Sequence, residues 1–208
     1  MARNRWMDEH FADPYVKRAQ AAGYRSRALF KLQEIDARDH LLRPGTTVVD
    51  LGSAPGGFSQ YAMERVGAHG RVVAVDILPM APLAGVVFIQ GDVTEPRCLN
   101  EIQRALDGRA DLVISDMAPN ISGIAVVDQA RATTLAGLAL VFASAHLTAD
   151  GRCLVKAFQG AGFEELLQDM RHRFTRVAMR KPPASRPRSP EVYLLGTRPR
   201  PVVSGSES

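Results

Sequence analysis

The sequence predicts a doubly wound α/β fold, in which helices cover both faces of a mostly parallel sheet. Short apolar segments alternate along the chain with longer helical patterns, which is typical of a parallel sheet. The apolar segments are nearly continuous, as expected of strands that are buried on both faces. The first of them ends at Asp50 and leads directly into a glycine-rich turn, an arrangement that places a nucleotide-like ligand at a helix N-terminus. At 208 residues the chain is long enough for one domain with a sizeable core.

The predicted elements follow one another in the order that this fold requires. A helix over 26–42, which Ser26 can cap and which Pro44-Gly45 ends, precedes the first strand. Further strands are predicted at 47–50, 71–76, 86–90, 110–115, 152–158, 176–180 and 191–196, and helices at 57–66, 97–106, 128–147 and 163–174. Only the loop 181–190 joins the last two strands, so these two strands should pair antiparallel.

Composition restricts the class of protein. No secretory signal is visible near the start, and the longest apolar run, 135–147, is too short to span a bilayer. Cys98 and Cys153 lie far apart in apolar contexts, so we expect two buried thiols and neither a disulfide nor a metal site. The expectation is a soluble cytoplasmic protein with one domain over 1–198 and a disordered tail over 199–208.

Charge is unevenly distributed along the chain, which carries +4 overall. Residues 44–170 hold eight basic and fourteen acidic side chains, whereas 171–200 hold nine basic and one acidic. Residues 1–43 are also basic, with nine Lys or Arg against six Asp or Glu. An acidic centre between basic flanks suits a polyanionic substrate, although a solvated basic tail explains the charge pattern equally well.

Lysine is rare in this chain. Of 26 basic residues only four are lysines, namely Lys17, Lys31, Lys156 and Lys181. Unlike arginine, a lysine can lose its proton inside a protein. Lys156 lies in an apolar strand, where desolvation and a second cation would lower its pKa from the ordinary value of about 10.4 and a nearby acid would oppose that. Taken alone, a strand-end lysine that reaches solvent is the simpler interpretation.

The turn after the first strand carries the most specific local motif, Asp50-Leu-Gly-Ser-Ala-Pro-Gly-Gly57. It lacks the glycine spacing of dinucleotide sites and the Lys-Ser or Lys-Thr of a phosphate-binding P-loop. It resembles the cofactor loop of S-adenosylmethionine-dependent methyltransferases, whose cofactor has no phosphate; a tight turn in another α/β protein is the alternative. Four acids end predicted strands at the ligand-binding edge of the sheet, and they are Asp50, Asp76, Asp92 and Asp116.

The strand-end acids also suggest which groups they contact. Asp76 is placed to accept hydrogen bonds from ribose hydroxyls, and Asp92 to meet an adenine edge, with simple strand-end capping as the alternative for both. The fourth strand is followed by Asp116-Met-Ala-Pro-Asn120 and not by the Asn/Asp-Pro-Pro-Tyr typical of amino-methylating enzymes. A ribose hydroxyl is a very weak acid, so its methylation needs a general base or stabilisation of the developing alkoxide. Lys156, with Lys31 as a second cation, is a candidate for that role.

Motifs along most of the chain resemble the FtsJ-like ribosomal RNA large-subunit methyltransferase E family. The resemblance covers about 5–197, and its motifs are Arg5-Trp6, Glu9-His10-Phe11, Arg25-Ser-Arg-Ala-Leu-Phe-Lys31, the glycine-rich turn, Asp76-Ile-Leu-Pro-Met80, Ser115-Asp-Met-Ala-Pro-Asn120, Val155-Lys-Ala-Phe-Gln-Gly160 and Glu191-Val-Tyr193. The resemblance implies a Rossmann-like class I S-adenosylmethionine-dependent methyltransferase fold, mostly parallel with an antiparallel last strand.

The resemblance also implies the site residues. The catalytic tetrad of the family falls on Lys31, Asp116, Lys156 and Glu191, with Lys156 as the main catalytic group and with Lys31 and Glu191 orienting the ribose and the ammonium group. Cofactor contacts are implied at Gly56, Phe58, Asp76, Asp92 and Asp116. The cofactor is S-adenosyl-L-methionine, and no metal is expected.

The implied substrate is a uridine of 23S ribosomal RNA, methylated on its 2′-oxygen in the assembled large (50S) subunit by a monomeric enzyme. We expect RNA contacts from the helical segment 1–43 and from the arginine-rich end, at Arg25, Arg27, Arg186 and Arg188. The alternatives are a related 2′-O-methyltransferase acting on tRNA or on a cap-like end, and a non-catalytic RNA-binding or ribosome-assembly factor. A nicotinamide oxidoreductase is disfavoured by the glycine spacing.

Three positions depart from the family pattern. Phe58 stands where tryptophan is frequent, and we expect little change because both are aromatic. Pro190 precedes Glu191 where a basic residue is frequent, which removes one RNA contact and one backbone donor. The arm before Arg5 is short, which reduces the basic surface for docking RNA. None of these departures changes a member of the tetrad.

Overall fold

The computed structural model describes residues 13–186 and 188–201. The helices are α1 (Pro14–Ala21), α2 (Leu29–Asp39), α3 (Gly57–Val66), α4 (Pro96–Leu106), α5 (Ala125–His146) and α6 (Phe163–Arg173). The strands are β1 (Thr47–Leu51), β2 (Arg71–Asp76), β3 (Val86–Gln90), β4 (Ala110–Ser115), β5 (Leu147–Phe158), β6 (Phe174–Arg180) and β7 (Glu191–Pro199). The predicted motifs before residue 13 lie outside the described residues.

The seven strands in the described part of the chain form one sheet in the order β3-β2-β1-β4-β5-β7-β6. The pairs from β3 to β5 are parallel, whereas β7 is antiparallel to both β5 and β6. The predicted antiparallel pairing of the last two strands is therefore confirmed. Strand order reverses between β1 and β4, and ligands of such sheets bind beyond the carboxyl ends of the strands at this point.

Helices cover both faces of the sheet, as the doubly wound prediction requires. Neighbouring residues of a strand point to opposite faces. Val48 accordingly belongs to the same buried cluster as Leu32 of α2 and Ala62 of α3, whereas Val49 belongs with Leu140 of α5 to the cluster on the other face. The predicted burial of both cysteine thiols is also confirmed, and both are free.

The first predicted helix was too long at both ends. Helix α2 begins at Leu29 without a side-chain cap, and Ser26 lies instead against Gly57. The helix ends at Asp39 because His40 adopts a left-handed conformation with φ of 50°. The buried carboxylate of Asp36 accepts a hydrogen bond from the Leu42 backbone N–H at 2.8 Å, which holds the chain in its turn away from the helix.

Helix α5 is longer than the predicted helix, because the Asp128 carboxylate accepts hydrogen bonds from Ser122 and Gly123 and holds the chain ahead of the first turn. With 22 residues and a mean hydropathy of 1.2 over an 18-residue window, it is long and apolar enough to cross a membrane by these two measures alone, whereas the apolar run 135–147 within it is shorter than such a span. Core helices of α/β domains pass the same test, and α5 packs Leu140 and Ala143 into the core.

The chain end differs from its prediction as far as it is described. Strand β7 continues to Pro199, which pairs with Phe174, and the Arg200 N–H donates to the Arg173 carbonyl at 2.7 Å. The predicted disorder is therefore wrong for Pro199 and Arg200, because backbone pairing with β6 carries the strand further than its side-chain pattern indicated. Residues 202–208 lie outside the described part of the chain.

Candidate active site

A cavity of about 390 Å³ lies at the carboxyl edge of the sheet, where the strand order reverses. Segments that follow β1, β2, β3 and β4 form its walls, together with one side of α5. The lining residues are Leu51, Gly52, Ala54, Val75, Asp76, Ile77, Leu78, Gly91, Asp92, Val93, Asp116, Met117, Ala118, Pro119, Asn120, Leu135 and Leu138. Its size and mostly apolar walls with a few carboxylates suit a nucleoside-sized ligand.

Two carboxylates of this cavity are fixed by backbone donors. Asp76 accepts hydrogen bonds from the Ala54 and Leu78 N–H groups, both at 2.8 Å. Asp92 accepts from the backbone N–H and the hydroxyl of Thr94, and these bonds hold the pKa of its carboxyl below the ordinary value. Both carboxylates have further lone pairs, so each can accept hydrogen bonds from a ligand's hydroxyl or amino groups.

Gly52 allows the loop after β1 to pass close to the segment after β4. Its φ is 77°, and a Cβ atom placed on it would lie 2.6 Å from Met117 Cγ and 2.9 Å from the Met117 backbone. Only glycine fits both constraints. The apolar walls, the paired carboxylates and this close backbone turn together fit the adenosyl and methionyl parts of S-adenosylmethionine, with Asp76 and Asp92 as the residues that would hold them.

Two of the predicted cofactor residues do not line the cavity. Gly56 is the residue before α3, and a Cβ atom placed on it would point toward Leu83 and Met80. Phe58 is buried, with its ring centroid 6.4 Å from that of Tyr193. Its side chain thus packs beneath the site, which the strand–turn–helix pattern alone did not reveal.

Lys156 and Asp116 form the first of two ion pairs beside the cavity. Lys156 lies near the end of β5, and Asp116 directly follows β4. Because these two strands are adjacent and parallel, the two side chains meet at the same edge of the sheet. The Lys156 ammonium donates to the Asp116 backbone carbonyl at 2.6 Å and lies 3.1 Å from its Oδ1 atom. Lys156 is only 8% exposed, so it is not a lysine that simply reaches solvent.

Lys31 and Glu191 form the second ion pair. Lys31 comes from the first turn of α2 and Glu191 from the first residue of β7, 160 positions later. The Lys31 ammonium lies 2.8 Å from both oxygens of Glu191, and both side chains are largely buried. The structure thus brings together the four residues that the resemblance implies as a tetrad, two on each side of one tyrosine.

Tyr193 joins the two ion pairs and was not assigned a role from the sequence. Its hydroxyl donates to Asp116 Oδ1 at 2.6 Å, and Lys31 Nζ lies 5.9 Å from its ring centroid. Burial, together with the charges of Asp116 and Glu191, raises the pKa of this phenol well above its usual value, so it remains a neutral donor. The signal was available, since Glu191 and Tyr193 are two apart on a strand and therefore share a face.

The charge of Asp116 is maintained by its neighbours. Burial would raise the pKa of its carboxyl, but the positive charges of Lys156 and Lys31 and the hydrogen bond from Tyr193 outweigh burial and lower it. Asp116 is therefore an anion that accepts hydrogen bonds from an ammonium group and a phenol.

Asp50 lies below the cavity and not in its lining. It is fully buried, its Oδ2 atom accepts from the Ser59 hydroxyl at 2.5 Å, and its Oδ1 atom has no partner within the described protein. Burial, and then the negative charges of Asp116 and Asp76, raise its pKa to about 7. Of the four strand-end acids, three reach the cavity and the fourth supports its floor.

The arginines predicted to contact RNA divide into two groups. Arg25 donates to the carbonyls of Ala81 and Pro82, both at 2.6 Å, and Arg27 pairs with Asp13. Arg186 and Arg188 are exposed on the loop between β6 and β7. The structure thus uses the first two within the fold, whereas the last two are available at the surface.

Within 13–186 and 188–201, no group of three or more His, Cys, Asp or Glu side chains is arranged to hold a metal ion.

The fold and the site define a methyltransferase with a Rossmann-like fold. Residues 24–199 match the FtsJ-like methyltransferase family, and the chain belongs to that family. A protein of Azoarcus sp. (strain BH72) called ribosomal RNA large subunit methyltransferase E is 58% identical, over 94% of this chain and 98% of its own. The protein of the same name from Thiobacillus denitrificans (strain ATCC 25259 / T1) is 57% identical, over 93% and 89%.

Solved structures show the same fold. A structure from Plasmodium falciparum, assigned as a ribosomal RNA methyltransferase, superposes with a TM-score of 0.76 at 26% identity, covering 84% of this chain and 98% of that one. The fibrillarin of Aeropyrum pernix, solved with natively bound S-adenosyl-L-methionine, gives a TM-score of 0.56 at 17% identity, over 84% and 75%. At 17% identity, the similarity to the fibrillarin shows a shared fold and nothing further.

Proposed function

We propose that this protein is an S-adenosylmethionine-dependent 2′-O-methyltransferase that modifies a uridine of 23S ribosomal RNA in the assembled large subunit. The observation that carries the proposal is the pair of lysine–carboxylate contacts, joined by Tyr193, at the edge of a nucleoside-sized cavity. Relatives called ribosomal RNA large subunit methyltransferase E, 57–58% identical over nearly the whole chain, support the substrate.

The cavity would hold the cofactor through its carboxylates. Asp76 would accept hydrogen bonds from the ribose hydroxyls and Asp92 from the amino edge of the adenine, while Met117 and Leu135 provide apolar contacts. The bound cofactor supplies an electrophilic methyl group on a sulfonium. Gly56 and Phe58, which do not line the cavity, would act through the position of α3.

Lys156 would stabilise the acceptor oxygen while this oxygen forms its bond to the methyl group, the methyl–sulfur bond breaks and the hydroxyl proton passes to water. An ammonium group has three N–H donors, and Asp116 accepts two of them through its backbone carbonyl and Oδ1 atom. The third donor is left for the 2′-oxygen, where it would stabilise the developing negative charge in a site with little solvent. Asp116 holds the ammonium group in this direction, so positioning adds to the electrostatic effect.

Lys31 and Glu191 would orient the acceptor ribose. Tyr193 lies between this ion pair and Asp116, on the side where α2 packs against the sheet. Together the four residues would form a fixed frame of alternating charges around the reacting hydroxyl. A monomer acting in the cytoplasm fits this proposal, and the exposed Arg186 and Arg188 would contact the RNA backbone.

Replacing Lys156 with alanine tests the proposal. With labelled cofactor and isolated large subunits, Lys156→Ala should lose at least about 100-fold in kcat, because the charge at the reacting oxygen is removed. Cofactor affinity, measured by calorimetry, should stay within a few-fold, because Lys156 does not line the cavity.

The control is Arg104→Ala, which removes an exposed cation on α4, outside the segments expected to contact RNA, and should keep full kcat. Mapping the labelled ribose identifies the nucleotide. Full activity in Lys156→Ala would contradict the proposed role of this residue. Transfer to deproteinised tRNA but not to large subunits would contradict the proposed substrate.

A further inference from the structure

We propose that Ser185 is a positioning residue for the active site, and that its hydroxyl holds the Glu191 carboxylate in the orientation that pairs with Lys31. The inference deepens the proposed function and rests on it for its kinetic consequences. Its structural content, the ordering of Lys31 through Glu191, does not depend on the substrate. Ser185 lies on the loop 181–190 between β6 and β7, which is the Pro/Arg/Ser-rich segment of the sequence.

The contact is short and buried. The Ser185 hydroxyl donates to Glu191 Oε1 at 2.7 Å, and the Lys31 ammonium lies 2.8 Å from each Glu191 oxygen. Ser185 is 3% exposed and Glu191 9% exposed. Because little water reaches this carboxylate, its orientation is set by these two side chains, one that approaches from α2 and one from the loop.

The loop itself is fastened at the residue before Ser185 and at its far end. The Ala184 N–H donates to the Glu34 carboxylate at 2.7 Å, and the Arg27 guanidinium donates to the Ala184 carbonyl at 2.6 Å. The Lys181 ammonium donates to the Glu191 carbonyl at 2.5 Å, which closes the base of the loop. The Ser185 backbone is therefore held against α2, and its hydroxyl has a fixed direction.

Loss of the Ser185 hydroxyl leaves both oxygens of the Glu191 carboxylate paired with Lys31 alone. The carboxylate can then rotate about its terminal bonds while it still pairs with Lys31, so the lysine follows it. Lys31 lies 5.9 Å from the Tyr193 ring centroid, and the Tyr193 hydroxyl holds Asp116. The disorder would thus affect the alignment of the acceptor and not the cofactor cavity, whose lining includes neither Lys31 nor Glu191.

Kinetics of two serine variants on isolated large subunits test the consequence. Ser185→Ala should lower kcat roughly tenfold, as expected for a lost hydrogen bond to a charged group, with KM for the subunit and cofactor affinity within twofold. Ser185→Cys, of similar volume and with a weaker donor, should fall between alanine and wild type. Ser189→Ala is the matched control, because Ser189 lies on the same loop and its hydroxyl accepts from the Glu191 backbone N–H at 3.2 Å.

A spectroscopic measurement separates this inference from the proposed function. The chain has only four lysines, so a protein labelled at the lysine ¹³Cε positions gives four signals, and Lys31→Arg assigns one of them by its loss. Ser185→Ala should move or broaden the Lys31 signal without any RNA present, and Ser189→Ala should not.

An unchanged Lys31 signal in Ser185→Ala overturns the inference, as does a kcat within twofold of an active wild type. If the wild-type enzyme fails to methylate subunits while the Lys31 signal moves, the proposed function is wrong and the positioning role stands.

Discussion

Asp50 and Asp116 end adjacent strands of the sheet, yet burial affects their charges in opposite directions. Asp116 is surrounded by Lys156, Lys31 and the Tyr193 hydroxyl, so its pKa is lowered and it remains an anion. Asp50 has one hydroxyl partner and two acidic neighbours, so its pKa is raised to about 7. Whether a strand-end acid is charged therefore depends on which side chains other parts of the chain bring to it.

Asp50 makes stability depend on pH. The pKa of its carboxyl rises from 3.8 in the unfolded chain to about 7 in the fold, so the folded protein retains a proton that the unfolded chain releases. The stability that this retained proton gives to the fold is fully present below about pH 4 and is lost as the pH rises through 7. Asp50→Asn remains neutral, so its stability relative to wild type should increase from pH 4 to pH 8, by at most about 4 kcal/mol.

Urea unfolding of both proteins across this pH range measures the effect. The difference between the two curves isolates Asp50, because all other titrating groups are shared. A difference that is constant with pH would contradict the prediction.

At the scale of elements, the site depends on close approach between segments that follow different strands. The loop after β1 passes the segment after β4 at Gly52 and Met117, and β7 reverses direction so that its first residues meet the carboxyl end of β5. The register pairs Lys156 with Tyr193 directly, which places the phenol beside the lysine and its carboxylate. The antiparallel strand thus brings its amino end to the edge where the parallel strands end.

Gly52→Ala should disturb the loop and the fold together. A Cβ atom would lie 2.9 Å from Met117 backbone atoms, and alanine disfavours the φ of 77°, so a loss of roughly 2 kcal/mol or more in unfolding free energy is expected. Cofactor affinity should fall as well, because both residues line the cavity.

Gly137→Ala is the matched control. Gly137 is on α5, and nothing lies within 4 Å of the added Cβ, so this variant should gain about 0.5–1 kcal/mol from helix propensity. Thermal unfolding and calorimetry with S-adenosylmethionine measure both effects. Equal stabilities of the two variants would contradict the role of this close approach.

At the scale of the whole molecule, the basic flanks have two different uses. Arg180 forms a bidentate pair with Asp39 at 2.6 Å, and Arg25 and Arg27 bind backbone carbonyls, so these arginines connect α2 and its approach segment to the rest of the fold. The exposed Arg186 and Arg188 have no such internal role among the described contacts. The number of charges in a segment of the sequence cannot distinguish arginines that bond within the fold from arginines that are exposed at the surface.

Salt dependence of RNA binding separates the two groups of arginines. Arg186→Ala and Arg188→Ala should each reduce the slope of log K against log salt by about 1, without loss of stability, because each removes about one phosphate contact. Arg25→Ala should cost about 1 kcal/mol or more in unfolding free energy, because the Ala81 and Pro82 carbonyls lose their donor, and should leave the slope unchanged.

Affinity measured at several salt concentrations, with urea unfolding beside it, gives both quantities. The same slope change in Arg25→Ala as in Arg186→Ala would show that the internal contacts of Arg25 open when RNA binds.

The sequence by itself determined the doubly wound sheet, the antiparallel last pair and most element bounds. Apolar runs, helical spacing and Gly/Pro punctuation are local signals, and they were sufficient for β2, β3, β4 and α3. Helix bounds were missed where a side chain bonds the backbone six residues away, a contact that residue propensities do not register. Asp36, whose bond to the Leu42 N–H helps end α2, and Asp128, which lengthens α5, are the two cases. The family resemblance of the sequence motifs also predicted the tetrad Lys31, Asp116, Lys156 and Glu191, although not which of these side chains pair with one another.

Only the tertiary structure decided which of these residues touch and which charges they carry. It joined Lys31 to Glu191 across 160 positions, inserted Tyr193 between the two ion pairs, placed Asp50 and Phe58 beneath the cavity, and used Arg25 and Arg27 inside the fold. The physical reason is that burial and hydrogen bonding depend on groups far apart in sequence. Spacing along the chain identifies candidate side chains, whereas packing sets their partners, exposure and pKa.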